Sequence, residues 1–110
     1  MPFYMLQWRY KETALKALVH HPQDRSEAAR KAVEAYGGQL HHFFFAFGDY
    51  DGVAITEFPD NESATASALT IGTGGAAAAI KTTVLISPEE ALRAMEKAGT
   101  IQSGYAAPRD

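Results

Sequence analysis

Six residues carry side chains suited to chemistry or ligand recognition: Tyr4, Trp8, His41, His42, Tyr50 and Asp51. Tyr50 and Asp51 close the run Gly48-Asp49-Tyr50-Asp51, where a phenol beside a carboxylate can hold a polar ligand or move a proton. The same pair has a structural use, because Asp caps turn amides and Tyr packs over a strand end. Tyr4, Trp8 and Tyr10, together with the phenylalanines of 43–47, can enclose a flat organic molecule. Aromatic residues of this kind also build cores and interfaces.

The histidines come in two adjacent pairs, His20-His21 and His41-His42. A metal site needs three or four convergent ligands. Neighbours on a strand point to opposite faces, so His41 and His42 are not expected to share an ion, and no metal is assigned. A histidine acting as general base in a pocket is the better use of this residue type. Gly72-Thr73-Gly74-Gly75 lacks the following Lys-Ser/Thr and the strand-to-helix setting of a phosphate loop, and reads as a helix stop. The chain has no cysteine and no Gly-x-Ser-x-Gly elbow. Thiol chemistry is excluded, no catalytic residue is assigned, and no cofactor is implied.

These residues must be positioned by a small frame. The 110 residues fit one domain, with 46% hydrophobic and 21% charged residues, as in ordinary globular chains. A formal net charge of −3 argues against a nucleic-acid partner, and no run of like charge suggests a membrane surface. The N-terminus lacks the basic and apolar regions of a signal peptide, and no apolar stretch approaches a membrane span, so a cytoplasmic protein is expected.

Residues 2–10 read as a strand with Tyr4, Leu6, Trp8 and Tyr10 on one face. Helical stretches follow from Thr13 and from Ser26, separated by His20-His21-Pro22 and ended by Gly37-Gly38. Residues 39–47 and 52–58 form a hairpin around a four-residue turn, 48–51. Asp60 or Asn61 caps an alanine-rich helix that runs to about Ile71, and a fourth strand covers 78–86. Ser87-Pro88-Glu89-Glu90 starts a last helix with its cap, its first-turn proline and its third-position glutamate. Gly99 stops it, leaving residues 100–110 as a tail after a domain of 1–99.

The order is a ferredoxin-like β-α-β-β-α-β plus a C-terminal helix: an α+β domain on a four-stranded antiparallel sheet. Right-handed crossovers put both connecting helices on one face. In the register set by a 48–51 turn, His41, Phe43, Phe45, Phe47, Ala54 and Phe58 share one face, and Leu40, Phe44, Ala46, Val53 and Ile55 the other. His42 then lies opposite Glu57. Both faces are apolar, whereas a sheet with one wet face should alternate. Each large apolar side chain gains roughly 1.5–3 kcal/mol on burial, so a second subunit is expected over the helix-free face. The alternative cover is the chain's own C-terminal helix and tail.

Gly48-Asp49-Tyr50-Asp51, followed by Gly52-Val53-Ala54-Ile55, resembles the hairpin of the GYD domain family, small bacterial proteins. Glu57-Phe58-Pro59-Asp60 resembles that family's exit from the third strand, and Ile80-Lys81-Thr82 its fourth strand. The similarity covers roughly residues 3–97. It implies a ferredoxin-like subunit of the dimeric α/β-barrel type, and no particular activity. Two functions remain in view. One is a homo-oligomeric domain that binds a small molecule, such as a small aromatic ligand, or acts on it without a cofactor. The other is a non-catalytic assembly or regulatory module.

Overall fold

In a computed structural model, which describes residues 1–109, alternate residues of β1 (Phe3–Tyr10) separate two environments. Tyr4, Leu6 and Trp8 are buried, while Phe3 and Arg9 are exposed and Met5 and Gln7 half-buried. The chain continues through α1 (Glu12–His20), α2 (Ser26–Glu34), β2 (Gln39–Phe45), β3 (Gly52–Glu57), α3 (Asn61–Thr73), β4 (Ala77–Leu85) and α4 (Pro88–Thr100). The four strands form one antiparallel sheet in the order β2-β3-β1-β4, a ferredoxin-like α+β arrangement.

The ends of the helices follow local chemistry. Asp60 Oδ1 accepts the Ser63 amide at 2.8 Å and starts α3. That bond holds the Asp60 carboxyl below its ordinary value. Ser87 Oγ accepts the Glu90 amide at 3.1 Å, and Pro88 takes the first position of α4. The α3 helix continues past Ile71 to Thr73, and the chain then reverses through Gly75, whose φ of +86° favours glycine.

One side of the sheet carries α2 and α3. Tyr4, Val33, Phe58 and Ala64 form one buried cluster there, and Leu6, Trp8, Leu40 and Ala54 a second. Ser67 Oγ ties α3 to the Ala32 carbonyl of α2 at 3.1 Å. At Gly52 the backbone lies flat under Trp8, and a Cβ there would overlap the indole Cζ2 and Cε2 atoms.

Two expectations and one alternative need correction. The β2–β3 hairpin pairs Phe45, not Phe47, with Gly52, so its loop is residues 46–51 rather than a four-residue turn. The pairing also slips between Leu40 and His42, where Leu40 lies opposite Thr56 and His42 opposite Ile55. This bulge lets Leu40 and Phe43 both face the helices, which strict alternation forbids. As a result His41, not His42, meets Glu57: its Nε2 lies 3.0 Å from Glu57 Oε1. Finally, α4 does not fold back over the sheet. None of its residues is buried, and the radius of gyration, 17.9 Å, exceeds the roughly 13 Å of a compact chain this size.

Candidate functional site

The Gly48-Asp49-Tyr50-Asp51 run is clasped to the end of β1. Asp51 Oδ2 accepts the Tyr10 amide at 2.8 Å, and the Asp51 amide donates to the Trp8 carbonyl at 2.8 Å. Arg9 Nε donates to the Asp49 carbonyl at 3.2 Å, and its guanidinium carbon lies 6.0 Å from the Tyr50 ring centre. These bonds carry the sheet's hydrogen bonding around the loop. They commit the Asp51 carboxylate to backbone.

Tyr4 sits at the other end of β1 in a sealed setting, beside a space of only about 10 Å³. Its hydroxyl donates to Asn61 Oδ1 at 2.6 Å. Burial, helped by the Asp60 charge, pushes the Tyr4 phenol above its ordinary value.

His41 and His42 lie on the helix-free side. His41 packs its ring 5.3 Å from Phe3, and His42 stacks on Phe44 at 6.2 Å. The expectation that the two histidines point to opposite faces fails at the bulge. Even so, no group of three or more His, Cys, Asp or Glu side chains among the described residues is placed to hold a metal ion.

The one of the six residues that borders a substantial cavity is Trp8. The cavity measures about 240 Å³ and lies between the sheet and α2. Leu6, Trp8, Phe43 and Ala54 form its floor, with Trp8 and Phe43 rings 5.2 Å apart. Ala28, Ala29 and Ala32 of α2 form the roof, and Ile71 and Ala76 close one side. Three alanines in the roof leave the space that larger residues would fill. Tyr10, Arg25, Thr56 and Thr70 are the polar or amphipathic residues of the wall. Among the described residues no carboxylate or histidine lines it. A second, more open cavity of about 310 Å³ runs on toward Ala14, Ala17 and Leu18 of α1 and shares Tyr10, Arg25, Gly74 and Ala76 with the first.

The structure thus scatters the six residues over four places: the sealed end of the core, the cavity, the 46–51 loop and the open face. Sequence reasoning missed Arg25 and the alanine face of α2. The spacing of Ala28, Ala29 and Ala32 marks a helix side able to approach a sheet, which is the signal that was available.

Sheet order and helix placement define a ferredoxin-like α+β domain. The same architecture appears in the crystal structure of MtbAldR (Rv2779c), with a TM-score of 0.58 and 15% identity over 78% of this chain. That likeness is one of fold. The match takes in 53% of the other chain, so the present chain spans about half its length. The GYD domain model matches residues 4–95, and the chain belongs to the GYD domain family. No curated protein matches it.

Proposed function

We propose that this chain is a small-molecule-binding domain that works as a homo-oligomer in the bacterial cytoplasm. The observation that carries the reading is the apolar cavity between sheet and α2, floored by Trp8 and Phe43 and roofed by alanines. Binding, rather than cofactor-free catalysis, is what the wall supports, because among the described residues it offers no carboxylate or histidine as acid or base. A thermal-shift panel of monocyclic aromatic compounds tests it. At least one compound should raise the Tm of the natural chain and none that of Ala29→Phe, which fills the roof. A panel that leaves the natural chain unmoved overturns the reading.

Self-association draws on the helix-free face and on α4. Phe3 and Phe44 are exposed on that face, with Met5, Val53 and Ile55 half-buried between them. Leu92 and Met95 are exposed on α4. A second subunit laid against the sheet buries the first set. A monomer mass by light scattering at micromolar concentration would sink this part.

A non-catalytic assembly or regulatory module is the second reading, favoured by α4, which buries nothing within its own chain. An oligomer that forms normally while no compound enters the cavity supports that reading instead.

A further inference from the structure

Among the described residues Arg25 is the only charged one on the cavity wall. It is half-buried and stands immediately before α2, where it also borders the second cavity. Its side chain makes one hydrogen bond, from Nη1 to Gln23 Oε1 at 3.0 Å. Among the described residues it forms no ion pair. A guanidinium has five N–H donors in a planar fork that fits a carboxylate in bidentate fashion, so most of its donors are uncommitted.

Two of the other polar groups nearby are already engaged. Thr70 Oγ1 donates to the Ala66 carbonyl at 2.9 Å and shares a hydrogen bond with Tyr36 Oη at 2.6 Å. The Ser26 amide at the start of α2 donates to Asp24 Oδ1 at 2.9 Å. The carboxylate of Asp24, next to Arg25 in the chain, is thus turned to Ser26, whose hydroxyl also donates to it at 2.6 Å.

Size and wall chemistry narrow the occupant. A cavity of about 240 Å³ is below the roughly 300–1,000 Å³ of sites for drug-sized ligands, so it suits a single ring. The Trp8 and Phe43 rings offer aromatic faces to such a ring. Building on the small-molecule reading above, we infer that the cavity takes a monocyclic aromatic monocarboxylate, its ring on Trp8 and Phe43 and its carboxylate on Arg25.

Trp8 is the only tryptophan of the chain, so its emission reports occupancy directly. The test titrates the natural chain and Arg25→Gln with phenylacetate and with its neutral counterpart phenylacetamide. Phenylacetate should bind the natural chain at least about tenfold more tightly than the amide, the size of one charge-assisted contact. Arg25→Gln should remove that advantage and leave the amide affinity unchanged, which also shows that the variant is folded. Equal affinities that Arg25→Gln does not alter overturn the carboxylate assignment while leaving the cavity as a binding site. A natural chain whose Trp8 emission responds to neither compound overturns both.

Discussion

On β1, Tyr4, Leu6 and Trp8 lie under the helices and are buried, whereas Phe3 and Met5, one residue out of phase, stay partly or largely in contact with solvent. On β3 and the residue after it, the same split separates Ala54, Thr56 and Phe58 from Val53 and Ile55. The two faces are built from the same strands and both are apolar, yet only one is completed within the chain. Hydrophobic pattern alone therefore says how much cover a sheet needs, and topology says how much of that cover the chain itself supplies. Two right-handed crossovers supply one layer. The remaining helix, α4, goes elsewhere.

Substitutions can push this contrast in either direction. The largest effect is expected on the completed face: Phe58→Ala should cost about 3–5 kcal/mol in urea unfolding, because a buried ring leaves a cavity between α2, α3 and the sheet. A loss below 1 kcal/mol would mean that this face is no better packed than the other. Gly52→Ala comes next, at about 1–3 kcal/mol, with a shift in Trp8 emission as the indole is driven off the strand. Unchanged emission would show that Trp8 does not rest on Gly52.

On the open face, Phe44→Glu should leave the monomer's stability within about 0.5 kcal/mol and reduce the assembly to monomers in light scattering. A stability loss like that of Phe58→Ala would place Phe44 in a core instead. The smallest effect belongs to the start of α3. Asp60→Ala should lower Tm by a few degrees at neutral pH. Because the folded Asp60 carboxyl is held below its ordinary value of 3.8, its contribution is present in full above that value. It is gone once pH falls through the lower folded value, so natural chain and variant should converge there. A Tm gap that persists at pH 2 would remove the charge from the explanation.

Much of the frame was readable where local chemistry decides the outcome. Ser87-Pro88-Glu89-Glu90 names its own cap, and Ser87 accepts the Glu90 amide as that motif requires. The hairpin register was not readable, and the reason is physical. Residues 43–47 are apolar in both phases, so alternation cannot set which of Phe45 and Phe47 opposes Gly52. The bulge beyond Leu40 is settled by Leu40 and Phe43 seeking the same core, a demand visible only once α2 lies over the sheet. Trp8 stood out by residue type and spacing. Arg25 did not, because its place at the cavity depends on where the start of α2 lands, a tertiary fact with no local signature.

The central place of β1 has a consequence for how the molecule is made. The first strand of this domain pairs with β3 on one side and β4 on the other, and Phe3 meets Leu85 at the end of the last strand. The β2–β3 hairpin and its pairing with β1 can form before β4 exists. Until β4 joins, β1 keeps an unpaired edge. Pairings so distant in sequence slow folding and prolong that exposure. Synthesis halted before residue 77 should therefore leave a β-rich stub that needs chaperone cover, where a chain finished to Leu85 would not.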